Sequence, residues 1–184
     1  MPDHEIITIL KRCRKGDRHA FALLCDRYYD YAFRIGFRIL ASEEDARDVV
    51  QEAFIRIWRH ISDYDERVKF TTWMYTIVTN LCIDKLRKEK HNSGPICEEA
   101  MMKTDLNDPG SRYDNKELAS IITCISEGLS PRQRAIFTLR DLEGLETDEI
   151  EKITGLPAAT IKSNLYHARK AIREKMIRIY KLEY

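Results

Sequence analysis

Lys162, Ser163, Tyr166, His167 and Lys170 lie close together in the chain, and at about 100° per residue they gather on one side of a helix. Ile161, Leu165, Ala168, Ile172 and Met176 take the other side. An ammonium, a hydroxyl, a phenol and an imidazole in one row offer the donors and acceptors that read base edges in a DNA groove. Arg169, Arg173, Lys175 and Arg178 follow and suit phosphates. From Pro157 to Lys181 seven of the eight charged residues are basic, whereas from Asp141 to Glu151 all six are acidic. The net charge of +1 hides this segregation. A solvated basic face on an ordinary helix has the same charge pattern. The preceding residues favour DNA. Thr147–Ile153 reads as a short helix with Ile150 and Ile153 apolar, and Thr154-Gly155-Leu156-Pro157 as a tight turn. Helix, short turn and helix is the pattern of a helix-turn-helix, whose second helix enters the major groove. The acidic stretch 141–151 reads as solvated surface, the alternative being that it covers the basic helix in an inactive state.

Two further clusters stand out. Asp63 to Trp73 mixes Tyr64, Phe70 and Trp73 with Arg67 and Lys69. Aromatics beside cations suit unpaired bases, and each stack is worth about 1–3 kcal/mol. Phe70 and Trp73 would equally fill a core, which for Trp73 is the favoured reading. Lys85, Arg87, Lys88 and Lys90 form a basic helix end that the helix dipole alone would favour. Asp48, Gln51, Glu52, Arg56 and Arg59 lie off the apolar stripe of another helix. The acidic first half of that face would repel phosphate, so it suits a protein partner. Nothing suggests catalysis, a cofactor or a metal. The histidines (4, 19, 60, 91 and 167) are scattered, no paired carboxylates stand out, and no Gly-rich loop precedes a helix.

The elements that must carry these clusters are all helical. Gly (7) and Pro (5) are too scarce for a sheet-rich fold in a 184-residue chain. Asp17 is a candidate cap for a helix bearing Ala20, Phe21, Leu24, Tyr28, Ala32 and Ile35. Ser42-Glu43-Glu44-Asp45 opens a second, with Ala46, Val49, Val50, Ala53, Phe54, Ile57, Trp58 and Ile61 along one stripe. A third is expected from Thr72 to Lys90, with Trp73, Ile77 and Leu81 on its apolar face. Turn clusters between His91 and Arg112 mark a flexible linker. Beyond it, Leu118, Ile121, Ile122 and Ile125 suggest a short helix, and Ser130-Pro131-Arg132-Gln133 starts the next. Cys13, Cys25, Cys82, Cys97 and Cys124 are odd in number and dispersed, so they read as inert core thiols in a reducing compartment. With no membrane-length apolar run and an acidic N-terminus unlike a signal peptide, the expected location is cytoplasmic.

Several stretches together resemble one family. Asp45-Ala-Arg-Asp48-Val-Val-Gln51-Glu52-Ala-Phe54-Ile-Arg-Ile-Trp58 resembles the core-polymerase-binding helix of bacterial RNA polymerase sigma factors. Phe70-Thr-Thr-Trp73 through Asn80, Asp84, Arg87 and Lys88 resembles their −10 element segment. Leu129-Ser-Pro131 through Phe137, Leu142-Glu-Gly144 through Ile150, and Gly155-Leu-Pro157 through Ser163 resemble their −35-binding domain. The order and near-complete coverage match the small extracytoplasmic-function (ECF) subgroup. The resemblance implies two helical domains: sigma region 2 over 1–91 and sigma region 4, the helix-turn-helix, over 113–184. A linker over 92–112 would run toward the RNA-exit path. It implies docking on the β′ and β subunits of core polymerase through Asp48, Gln51, Glu52, Phe54, Ile55 and Arg59. Unpaired −10 bases would meet Tyr64, Lys69, Phe70, Trp73, Asn80, Arg87 and Lys88. The −35 duplex would meet Thr160, Lys162, Ser163, Tyr166, His167, Arg169, Lys170 and Arg173. An anti-sigma factor is an expected partner. Asn164 and His167 depart from the family's frequent Arg, and Ala159 from its frequent Gly. Glu146 stands where a capping Ser is common, which leaves Thr147 as the candidate cap. The alternative is a stand-alone helix-turn-helix regulator, which leaves the Asp48–Glu52 face and the Phe70–Trp73 loop unexplained.

Overall fold

The computed structural model describes residues 4–89, 122–126 and 128–180, and contains no strand among them. Helices α1 (His4–Arg14), α2 (Arg18–Leu40) and α3 (Glu43–His60) are followed by a 3-10 turn (Ile61–Asp63) and α4 (Phe70–Glu89). Residues 122–126 are helical. Then come α5 (Pro131–Phe137), a π turn (Thr138–Leu142), α6 (Thr147–Thr154) and α7 (Ala158–Tyr180). The predicted linker, 92–112, together with Cys97, Leu118 and Ile121, lies outside the described residues.

Local chemistry sets the boundaries. Asp17 Oδ1 accepts from Ala20 N at 3.0 Å and starts α2. Its carboxyl is held below the usual carboxylate range by that backbone bond and by Arg12. Ser42 Oγ accepts from Asp45 N at 3.2 Å and starts α3. Ser130 and Gln133 form the reciprocal box at the head of α5, at 3.2 and 2.9 Å. Ala41 ends α2 in the left-handed region (φ 57°), where its N–H reaches Phe37 O at 2.7 Å. A non-glycine there costs about 1–2 kcal/mol, so the tight α2–α3 corner must be held by its packing.

Two features depart from the expectations. Helix α1 was not foreseen, although Ile6, Ile9, Leu10 and Cys13 have helical spacing and are all buried. Helix α4 starts at Phe70 instead of Thr72, and its deepest residues are Met74, Val78, Thr79 and Cys82 instead of Trp73, Ile77 and Leu81. The cause is that α4 is covered on two sides. It packs on α2 and α3, and also on α5 and α6. A helix apolar nearly all round has no single stripe to read.

The second domain therefore rests on the first. Met74, Val78 and Cys82 share one apolar cluster with Ile136, Leu139, Ile150 and Ile153. Ile122 packs with Phe37 and Ala46. Glu143, only 5% exposed at its side chain, lies between Arg34 and Arg38. Arg38 Nη1 donates to Glu143 Oε1 and to Leu142 O, both at 2.6 Å, and Arg34 Nη2 lies 3.0 Å from Glu143 Oε2.

Candidate nucleic-acid and polymerase interfaces

Helix α7 is built as the spacing requires. Ile161, Leu165 and Ala168 are buried, while Lys162, Ser163, Tyr166, His167, Arg169, Lys170 and Arg173 are exposed. Tyr166 is the most open large hydrophobic side chain among the described residues, at 64%, and its ring meets His167 edge-on at 5.5 Å. Thr160 is half-buried, and its carbonyl accepts from Asn164 Nδ2 at 2.8 Å, so Asn164 is spent on its own helix.

The turn that presents α7 is held by side chains whose sequence signal is slight. Gly155 takes φ +68° as the C-cap of α6, where a side chain would be strained. Glu151, on α6, accepts from Ala158 N at 2.6 Å and so ties the first turn of α7 to the preceding helix. Arg140 Nη1 donates to Leu145 O at 2.7 Å and pairs with Glu146 at 2.8 Å. Thr147 is the first helical residue of α6 and not its cap. That place falls to Glu146, whose N–H is taken by Glu149 Oε2 at 3.2 Å.

The acidic stretch 141–151 is not merely a solvated surface. Asp141 grips Arg169 with two bonds of 2.6 and 2.8 Å, and raises that guanidinium's pKa further. Glu143 holds Arg34 and Arg38, and Glu149 lies 3.4 Å from Lys69 Nζ. One phosphate-binding candidate of α7 is thus already paired, while Lys162, Ser163 and Tyr166 stay open.

The loop between the 3-10 turn and α4 differs from the picture of open stacking platforms. Phe70 and Tyr64 are 4% and 7% exposed, so both belong to the core. Tyr28 lies 4.8 Å from Phe70 and Trp73 lies 5.1 Å from Tyr64, between ring centroids. The Tyr64 hydroxyl donates to Val68 O, and burial with the nearby Glu66 carboxylate pushes its pKa up to about 12. What faces outward is Glu66 to Lys69. Beneath it is a hollow of 420 Å³ lined by the loop, Tyr28 and Ile6, Ile7 and Leu10 of α1. Asn80 and Arg87 are not brought to this hollow. With Arg56, Asp84 and Arg132 they line a separate 370 Å³ cleft between the domains. Lys88 is exposed near the end of α4.

On α3, Asp48, Gln51, Ile55 and Arg59 are exposed and Glu52 is half-buried. Glu52 pairs with Arg56 at 2.8 Å. Ile55, 38% exposed, is the one large apolar side chain this face offers. Phe54 is 7% exposed and meets Phe21 edge-on at 6.4 Å, so it belongs to the core and is withdrawn from the docking set. Asp45 is buried enough to raise its pKa, yet Lys85 and Ser42 outweigh that and leave it lowered.

A four-helix domain with an open polar face on α3, carrying a helix-turn-helix domain, has the architecture of a DNA-binding protein. Comparison with known proteins narrows this. Residues 24–92 match the family described as Sigma-70 region 2, and residues 119–172 the family described as Sigma-70, region 4. The chain is 32% identical over 176 residues to the ECF RNA polymerase sigma factor SigW of Bacillus subtilis (strain 168), covering 91% of this chain and 94% of SigW. It is 31% identical over 184 residues to the ECF RNA polymerase sigma-E factor of Escherichia coli (strain K12), covering 92% and 93%. Its fold matches CnrH, solved in complex with the cytosolic domain of CnrY, at a TM-score of 0.68 and 18% identity over 92% of this chain and 95% of that one. It also matches RpoE of Bartonella quintana, solved with the anti-sigma factor NepR, at 0.57 and 18% over 94% of each. The chain belongs to the ECF RNA polymerase sigma factors. No helix among the described residues is long and apolar enough to cross a membrane.

Proposed function

We propose that this sigma factor docks on core polymerase through Asp48, Gln51, Glu52, Ile55 and Arg59, reads the −35 duplex with α7, and captures an unpaired −10 base at the Glu66–Lys69 loop. It contributes no catalysis of its own and works in the cytoplasm. The observation that carries the reading is the open row Lys162, Ser163, Tyr166 and His167 above a buried Ile161–Leu165–Ala168 stripe. Such a row at the start of a second helix is placed to meet base edges. The Arg169–Asp141 pair gives way to a phosphate, which offers the guanidinium an equal partner.

The closed packing belongs to the free protein. Elements named −10 and −35 lie roughly 25 base pairs apart, or about 85 Å along B-DNA. Domains joined by an Arg38–Glu143 contact of 2.6 Å cannot reach both. The domains separate on polymerase, and the linker supplies the reach. CnrH was solved with the cytosolic domain of CnrY and the Bartonella RpoE with the anti-sigma factor NepR, and an anti-sigma factor is the partner expected here.

Run-off transcription tests the function. Core polymerase would be given a library of genomic fragments with and without this protein. Discrete new starts sharing a pair of upstream elements are expected. Palindrome binding as a dimer, without co-elution with core, would favour a stand-alone regulator.

A further inference from the structure

Arg14, the last residue of α1, is spent on the 3-10 turn and the loop that follows it. Its Nε donates to Ile61 O at 3.3 Å, Nη2 donates to Tyr64 O, and Nη1 pairs with Glu66 Oε1 at 2.6 Å. These three contacts reach two carbonyls and a carboxylate spread over positions 61 to 66. The carbonyls lie at the end of a helical turn, where such groups lack partners of their own. A guanidinium spreads its donors over three nitrogens in a fixed fork that reaches all three acceptors at once, whereas a lysine's donors radiate from a single nitrogen. The side chain is 28% exposed, so it is largely packed in place. Upstream on the same helix, Ile6, Ile7 and Leu10 form the wall of the 420 Å³ hollow facing Val68, Lys69 and Phe70.

We propose that Arg14 is the positioning residue of the base-capture loop, so that α1 is a working part of promoter opening. This rests on the reading of the Glu66–Lys69 loop given above. Apart from Lys69 Nζ, which lies 3.4 Å from Glu149 of the second domain, the loop's other polar ties are local: Tyr64 OH to Val68 O, Val68 N to Asp65 O at 3.0 Å, and Arg67 to Asp65 at 2.7 Å. They shape the loop, and the buried Tyr64 and Phe70 rings fix its two ends, but they do not anchor the Glu66 stretch between them to the body of the domain. Arg14 supplies that anchor. Without it the capture-competent shape is one of several, and apparent affinity for the unpaired strand falls by the lost fraction.

The test uses holoenzyme assembled from the full chain, on a promoter mapped by run-off transcription, with 2-aminopurine placed along the −10 non-template strand. Arg14→Gln is expected to slow the opening signal roughly tenfold, the size of a competent fraction cut to a tenth. Core association and −35 duplex affinity should stay at wild-type levels. Arg14→Lys, which keeps the charge and one bond, should recover part of the loss. A Val68→Ala/Lys69→Ala variant controls for the loop itself. If that variant opens slowly while Arg14→Gln opens at the wild-type rate, the role of Arg14 is overturned and the loop reading stands. If neither slows opening, the loop reading falls and the role of Arg14 with it. Equal losses of core binding and opening in Arg14→Gln would reduce the residue to fold stability and overturn the proposal.

Discussion

Substituting Glu143 by alanine isolates what holds the two domains together. Its carboxylate sits 5% exposed between Arg34 and Arg38, at 3.0 and 2.6 Å. Charge-assisted hydrogen bonds contribute about 1.5–3 kcal/mol each when well formed. Arg34 and Arg38 are 44% and 30% exposed, so water compensates much of their loss. A net cost of about 2 kcal/mol is expected, which at 1.4 kcal/mol per decade shifts the open–closed balance roughly thirtyfold. Cys82 reports on it. This thiol is fully buried in the cluster α4 shares with the second domain, and burial pushes its pKa up to about 12. It reacts only when the structure opens, so its alkylation rate follows the open population. Peptide mass spectrometry after timed alkylation should show Cys82 reacting roughly thirtyfold faster in Glu143→Ala. Cys13, buried on the inner face of α1 in the first domain, should be unchanged. An unchanged Cys82 rate would show that the apolar contact alone closes the molecule. Equal acceleration of Cys13 would mean the mutation unfolds the chain and does not open it.

Lys162→Ala and Tyr166→Ala should each reduce discrimination among −35 sequences by about 1–3 kcal/mol, measured by competition among duplexes. Unaltered selectivity in both would remove them from the reading surface. The pair Gln51→Ala/Ile55→Ala should weaken binding to core polymerase in a pull-down and leave duplex affinity intact, because that face carries none of the side chains proposed to read the duplex. Loss of both activities together would point to misfolding instead. Asp17→Asn keeps a capping oxygen but gives up the charge that Arg12 holds at 2.8 Å. Because the folded Asp17 titrates below its ordinary 3.8, the wild-type advantage in Tm should be complete above that pH and vanish as pH falls through the lowered value. A Tm gap independent of pH would show that the charge contributes nothing.

Sequence carried most of the local structure and less of the long-range structure. Asp17, Ser42 and Ser130 announced their helices because a cap involves neighbours three residues apart. The polar face of α7 was legible for the same reason, since a helix converts spacing directly into direction. The fates of Tyr64 and Phe70 were not legible. An aromatic beside a lysine stacks on a base or fills a core with the same letters, and Tyr28 decides which by closing over Phe70 at 4.8 Å. Phe54 stood both on the apolar stripe and in the docking set that the resemblance implied, and its burial, one helix position from the exposed Ile55, agrees with the stripe. Asn80 fits both a loop site and a domain cleft by spacing, and the second domain's approach puts it in the cleft. That approach depends on Arg34 and Arg38 meeting a glutamate more than one hundred positions away. No local pattern encodes such a pairing.

The π turn at Thr138–Leu142 has a consequence for alignment. Glu143 N–H reaches back to Thr138 O at 2.9 Å, one residue further than an α-helix allows. Each residue of a helix advances its direction by about 100°. The extra one therefore sets the phase between α5, which rests on α4, and everything downstream that faces DNA. A chain one residue shorter at this turn could keep every helix, every cap and every DNA-reading side chain. It would still aim Glu143 away from its arginines and turn the reading helix about its mount. The register of a single backbone bond thus couples the surface that closes the molecule to the surface that reads a promoter.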